Sequence, residues 1–338
     1  MSFFTEHHLP IWTGQVISAI SDAGGRGVDL FFVLSAYLIT ELLLREKDER
    51  GTLNVRSFYI RRILRIWPLY YLFVIAVEAI SLVRQDHALP LGYILSFLLL
   101  AGNWGTIFFR PHVDAATGPL WSVSIEEQFY LLWPPLIANL TRRRILQLAI
   151  GIVFLANIAR MVMLILHFSN WQIYFNTFAR LDMIGGGVLL AVLLRGRVPN
   201  VPNGIRLTFI AFAVMSVLLT GFYKVFQTGP TWVEMEVSYP LVAACCTGIV
   251  YCVLGMRMES RWLRYLGKIS YGLYVYHFAA IMFVDRVFDV QLGIAHLLLR
   301  PLLALGLTIL AAVLSYTYLE SPFLKLKRRY TYVASRPV

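Results

Sequence analysis

The sequence predicts an all-α fold, a polytopic transmembrane helical bundle of about nine to ten membrane segments. Three observations predict it. The 338 residues are 58% hydrophobic and 14% charged, with a mean hydropathy of +0.67, whereas soluble domains carry about 25% charged residues. Apolar stretches near the roughly 20 residues needed to span a bilayer recur with short connections. Most of the 30 lysines and arginines gather between those stretches. Helices satisfy their own backbone polar groups, which lipid cannot do, so helices are the expected element throughout.

In chain order the expected segments are 27–44, 66–84, 91–109, 121–140, 145–168, 180–195, 205–223, 238–255, 269–288 and 296–319. Basic residues cluster in 45–65, at Arg142 to Arg144, in 195–206, in 257–268 and after Glu320. The positive-inside rule assigns these clusters to the cytoplasmic side. Region 85–141 then crosses an odd number of times. If 121–140 crosses, 91–109 is a re-entrant or lid segment, and Asn103, Trp104 and Gly105 are expected to interrupt it. The net charge of +11 is therefore a membrane signature, not a nucleic-acid one. A single integral membrane domain over 1–338, with a short basic tail at 324–338, is expected. Localisation in the cytoplasmic membrane, with basic loops and C-terminus inside, goes with it. Cys245, Cys246 and Cys252 share one apolar segment without a Cys/His metal spacing, so they read as small helix residues and no metal is expected. The opening MSFFTEHHLPIWTG lacks the basic region and apolar core of a signal peptide. The topology places Met1 outside, so a helix missing upstream is expected.

The polar residues inside apolar sequence carry the functional signal, because an ionised group near the bilayer centre costs at least ~2.5 kcal/mol. In FYIRRILRIWPLYY, Arg62 and Arg65 stand i, i+3 on one helical face, with Arg61 beside them. A paired guanidinium face suits phosphate; positive-inside anchoring is the alternative. Glu126 and Glu127 in PLWSVSIEEQFYLLWPPL point about 100° apart. One is expected to face a polar cavity and the other the interface or a basic partner, with a structural ion pair to Arg110 or Arg180 as the alternative. Ser122 and Ser124 flank the pair as potential donors. Arg180 and Asp182 open a segment in which Gly185 to Gly187 allow close helix approach; a structural Arg–Asp pair is the plainer reading. His277 is either a buried hydrogen-bonded histidine or a substrate contact. Tyr271, Tyr274 and Tyr276 read equally as interface aromatics. Glu320 reads as an interfacial acid at a helix stop. His7 and His8 are suited to proton transfer near neutral pH, or are an exposed terminal pair. These groups alone fit a catalyst, a proton-coupled transporter or a receptor.

Several stretches, taken in order, resemble the acyltransferase 3 family of integral membrane O-acyltransferases. They are GVDLFFVLSAYLIT (27–40), FYIRRILRIWPLYY (58–71), PLWSVSIEEQFYLLWP (119–134), ARLDMIGGGVLLA (179–191), LGKISYGLYVYHF (266–278) and YLESPF (318–323). The resemblance covers nearly the whole chain. It implies transfer of an acyl group, most often acetyl from acetyl-CoA, to a hydroxyl of a cell-surface glycan or a small molecule. It implies His8 or His7 as general base, with Glu126 as the acid of the Trp-Ser motif beside Trp121 and Ser122. It also implies Arg62 and Arg65, with Arg61, as the grip on CoA phosphates. Ser124, Arg180, Asp182 and His277 join Trp121 and Ser122 as expected substrate contacts, and membrane lipid is the expected surround. Two departures stand out: a complete first helix bearing an arginine is absent, and Ala36 replaces a usual glycine. A proton-coupled transporter or flippase for a lipid-linked glycan, and an inactive shortened family member, are the alternatives.

Overall fold

In the computed structural model the chain is helical, with no strand among the described residues. These are Val16, Ala19, 23–84, 89–109, 116–225, 227, 229–256, 260–287 and 293–330. Among the described residues six helices are long and apolar enough to cross a membrane by length and composition: Ala23–Arg50, Val55–Val83, Arg142–Ile165, Asn203–Lys224, Glu234–Val253 and Leu299–Tyr330. Their exposed side chains include many large apolar ones, such as Ile75, Leu82, Phe154, Leu219 and Leu302, as expected where lipid is the solvent. The chain is a multi-pass membrane protein.

The chain divides into two compact units. The first comprises Met1–Leu53, Pro134–Arg257 and Ser335–Val338. Its described helices are α1 (Gly27–Arg50), the end of α5 (Trp121–Asn139), α6 (Arg142–Ile165), α7 (Asn170–Phe175), α8 (Leu181–Leu194), α9 (Asn203–Val225) and α10 (Tyr239–Val253). Helix α8 lies at its centre, against α1, α6 and α10. At 14 residues it is about 21 Å long, short of the roughly 30 Å hydrocarbon core. Three successive glycines let it pack. A Cβ on Gly185 would meet Val153 of α6 at 2.5 Å, one on Gly186 would meet Thr247 of α10 at 2.3 Å, and one on Gly187 would meet the Val33 carbonyl of α1 at 2.2 Å. The close approach read from the sequence is therefore present on three faces. Ala36 sits in helical backbone, and its methyl lies 2.9 Å from where a Gly187 Cβ would stand. The glycine of α8 makes the room that the alanine of α1 fills. At one end of this unit Lys47 donates to the carbonyls of Ile137, Ala138 and Leu140 at 2.7–2.9 Å, closing the C-terminus of α5 with a cation.

The second unit comprises Asn54–Trp133 and Met258–Ala334. It contains α2 (Val55–Arg84), α3 (Leu91–Leu98), α4 (Gly102–Phe109), the first part of α5, α11 (Arg261–Val287), α12 (Gly293–Ser315) and α13 (Ser321–Lys327). The stretch 91–109 does break into two helices of eight residues each, too short to span. The break falls earlier than expected. Leu100 takes a left-handed φ of 57°, and Asn103, Trp104 and Gly105 lie inside α4. Glu320 does not end a helix. Tyr316–Glu320 form a wide π turn that runs on into α13, and Glu320 is buried there, accepting from Ser315 at 3.2 Å. Cys245, Cys246 and Cys252 are free and buried in α10, as expected of small helix residues.

Candidate active site

Most of the expected site residues fall in the second unit, on three helices. Helix α2 begins at Val55, so Arg61, Arg62 and Arg65 lie on its first turns and not ahead of it. Arg61 is buried and donates to the Tyr330 carbonyl at 2.7 Å. That bond ties α2 to the turn that follows α13. Arg62 is half-buried, and its guanidinium lies over the rings of Tyr130 at 5.1 Å and Phe58 at 5.6 Å. Stacking of this kind suits arginine because its planar cation is weakly hydrated. Arg65, one turn on, is exposed.

Helix α5 brings the carboxylates to the same place. Both Glu126 and Glu127 fall within electrostatic range of Arg62. Their roles divide by face, as the 100° offset predicts. Glu126 is buried, 5% exposed, while Glu127 accepts from the indole of Trp67 at 3.1 Å. Arg180, the other partner expected, pairs with Asp29. Arg110 lies outside the described residues.

The serines are spent on local structure. Ser124 accepts from the Gly102 amide at 2.9 Å and donates to the Leu120 carbonyl, so it anchors the start of α4. Gln128 reinforces the same junction through Asn103 at 2.9 Å and the Leu100 carbonyl. Ser122 meets the Tyr274 hydroxyl at 2.6 Å, and that hydroxyl donates to the Pro119 carbonyl at 2.6 Å. Trp121 is buried at the start of α5.

Helix α11 supplies a face of phenols. Tyr271 donates to the Ile66 carbonyl at 3.0 Å, and Tyr276 meets Phe73 edge to face. All three tyrosines are partly buried and bonded or packed within the unit. His277 bonds the Tyr274 carbonyl through Nδ1. A carbonyl only accepts, so Nδ1 carries the proton and Nε2 of the neutral ring keeps its lone pair.

Arg180 and Asp182 sit in the first unit, in a buried charge cluster. Arg180 pairs with Asp29 at 2.7 Å, and Arg160 pairs with Asp182 at 2.7 Å. Arg26 lies 3.5 Å from Asp29. Arg160 also donates to Met235, Ala179 and Asn157. All three guanidiniums lie over the Tyr239 ring at 5.1–5.2 Å. Each of the two sequence neighbours thus has its own ion-pair partner elsewhere in the first unit. Among the described residues no cluster of His, Cys, Asp or Glu is arranged to hold a metal ion. His7 and His8 lie outside the described residues.

A family model for an acyltransferase domain, acyltransferase 3, matches residues 2–320. The chain belongs to the acyltransferase 3 family. Among its relatives, "Putative O-acetyltransferase SACOL0978" of Staphylococcus aureus is 30% identical over 331 residues, covering 89% of this chain and 53% of that protein. "Putative peptidoglycan O-acetyltransferase YrhL" of Bacillus subtilis is 30% identical over 327 residues, covering 89% and 51%. "Peptidoglycan O-acetyltransferase OatA" of Listeria monocytogenes is 26% identical over 322 residues, covering 88% and 51%. The chain spans about half the length of the curated relatives it matches. No solved structure matches it.

Proposed function

We propose that this acyltransferase 3 protein moves an acyl group, most simply acetyl, from acyl-CoA to a hydroxyl of a cell-surface glycan or a related small molecule. The observation that carries the reading is Arg62 of α2 lying over the ring of Tyr130 on α5, the helix that bears Glu126 and Glu127. Arg62 and Arg65 grip the CoA phosphates, with Arg61 tying the helix behind them. The names of the relatives favour acetyl as the group and peptidoglycan as the kind of acceptor. The positive-inside pattern favours the cytoplasmic membrane, with the basic loops and C-terminus inside.

The chemistry is a single acyl transfer. The acceptor hydroxyl oxygen attacks the thioester carbonyl carbon, and His8 or His7 takes the hydroxyl proton as the C–O bond forms. The C–S bond then breaks, and the imidazolium returns the proton to the leaving thiolate. Base catalysis of this kind contributes ~100- to 10,000-fold. Glu126 orients the imidazole and stabilises its cation, as a carboxylate does in other acyl-transfer sites. Trp121 and Ser122, at the start of the same helix, and His277 on α11 contribute to the acceptor side.

Membranes holding the chain are given radiolabelled acetyl-CoA, and label is followed into cell-surface material. The result expected is incorporation that disappears with His7→Ala/His8→Ala. Substrate movement without covalent label would overturn the reading in favour of a transporter. Label that persists in the double variant would remove the histidines from the mechanism.

A further inference from the structure

Helix α11 fixes one imidazole and leaves half of its bonding capacity unused. Tyr274 is fastened at the start of α5. Its hydroxyl donates to the Pro119 carbonyl at 2.6 Å and meets the Ser122 hydroxyl at 2.6 Å. With the phenol proton given to the carbonyl, the hydrogen between the two side chains comes from the serine. The Tyr274 carbonyl in turn accepts from Nδ1 of His277, one turn on, and the phenol and imidazole rings lie 5.4 Å apart. The imidazole is thus tied through Tyr274 to the head of α5, in one orientation and one tautomer. Among the described residues no donor reaches its Nε2. Nor is that nitrogen sealed in, for His277 is half-buried. A lone pair held in an apolar bundle without a donor costs desolvation with no bond in return, and a ligand O–H or N–H supplies that bond. A neutral Nε2 takes a hydrogen bond and gives none, so a ring fixed in this way reads donors only.

The place of the ring along the bundle matters as well. Tyr276, its sequence neighbour, meets Phe73 of α2 at 5.6 Å. Phe73 stands 11 positions after Arg62, about 16 Å along the helix. In acyl-CoA the pantetheine arm separates the phosphates from the thioester, so a group that meets the acceptor has to stand well away from the arginines that hold the phosphates. His277 does so, in the same unit and beside the head of the helix that carries Glu126.

We infer that His277 determines specificity for the acceptor: its Nε2 accepts a hydrogen bond from a second hydroxyl, beside the hydroxyl that is acylated. The acceptor class it selects is a polyol such as a sugar. This rests on the reading of the chain as an acyltransferase to hydroxyls. His277 holds the acceptor and takes no proton in the transfer, so its loss weakens acceptor binding and leaves the chemical step.

The test compares two variants that split the imidazole. In His277→Asn the amide nitrogen stands where Nδ1 stood and keeps the bond to the Tyr274 carbonyl, with nothing at the Nε2 position. In His277→Gln the amide oxygen reaches the Nε2 position and accepts there. Membranes holding the full chain are given saturating radiolabelled acetyl-CoA, and the initial rate of label transfer is followed against increasing amounts of isolated cell-wall glycan. The expected result is a glycan KM raised about tenfold in His277→Asn, with kcat and the acetyl-CoA KM within about twofold of wild type. His277→Gln is expected to keep a glycan KM within about threefold. A normal glycan KM in His277→Asn, with the loss confined to His277→Gln, would make the histidine structural and overturn the inference. A fall in kcat at unchanged glycan KM in both variants would make His277 a proton carrier and overturn it equally. Absence of transfer by wild type would remove the acyltransferase reading, and this inference with it.

Discussion

Around Tyr239 in the first unit, Arg26, Arg160 and Arg180 meet Asp29 and Asp182 in contacts of 2.7–3.5 Å, and Arg160 makes further bonds to carbonyls. On α2 and α13 in the second unit, Arg61, Arg62, Arg65 and Lys327 lie within electrostatic range of one another, with Glu126 and Glu127 near Arg62 and Glu320 near Arg65. Both arrangements hold arginine in apolar surroundings. In the first, direct ion pairs and carbonyl bonds hold the charges, so the cluster joins α1, α6, α8 and α10. In the second, Arg61 is tied to the Tyr330 carbonyl, Arg62 lies over aromatic rings and Arg65 is exposed. The difference lies in burial and partners: Arg180 is fully buried against Asp29, whereas Arg65 on α2 is exposed.

The largest effect expected is in the first unit. Asp182→Asn leaves Arg160 buried without its counter-charge, a loss of about 3–5 kcal/mol for a broken buried pair. Detergent-purified protein should melt far lower than wild type or fail to accumulate in membranes. Replacing both partners, Asp182→Leu with Arg160→Met, should recover much of the loss. A single variant that melts like wild type would show that the cluster is not structural. In the second unit, Glu126→Gln should lower acyl transfer at least ~100-fold, about 2.7 kcal/mol at ~1.4 kcal/mol per factor of ten, without moving the melting temperature. Near-normal transfer would remove Glu126 from the site. Next in size, Gly187→Ala drives a methyl toward the Val33 carbonyl and Ala36. Overpacking costs about 1–3 kcal/mol, so melting should fall. Gly118→Ala, where a Cβ meets nothing within 4 Å, should not move it. The smallest effect expected is that of Glu127→Gln. Its amide oxygen still accepts from Trp67, and transfer should stay within about threefold of wild type. A loss equal to that of Glu126→Gln would reverse the division of roles between the two carboxylates.

Much of this was legible in the sequence, residue by residue. The i, i+3 spacing put Arg62 and Arg65 on one face, the 100° offset split Glu126 from Glu127, and the glycine run announced the close contacts of α8. What escaped depends on partners distant along the chain. Arg180 finds Asp29 across 151 positions and Arg61 finds Tyr330 across 269, so no local pattern pairs them. The aspartate two residues from Arg180 was the nearer but wrong partner, because it turns to Arg160. The break before α4 was misplaced for a different reason. Leu100 adopts the left-handed region without the glycine that normally signals it, and the Leu100 carbonyl is held by Gln128 from α5. The bond from the Gly102 amide to Ser124 also escaped, because nothing in the helix of Ser124 reveals that this amide needs an acceptor.

The central claim is that the α2 face of the second unit holds the acyl donor. It is tested most directly by the acetyl-CoA KM of an Arg62→Gln/Arg65→Gln variant in membranes, with amounts of folded protein equalised by melting-competent yield. The account predicts a KM at least tenfold above wild type, since two charge-assisted phosphate contacts are lost. A KM equal to that of wild type would contradict it and return both arginines to the role of membrane-surface anchors.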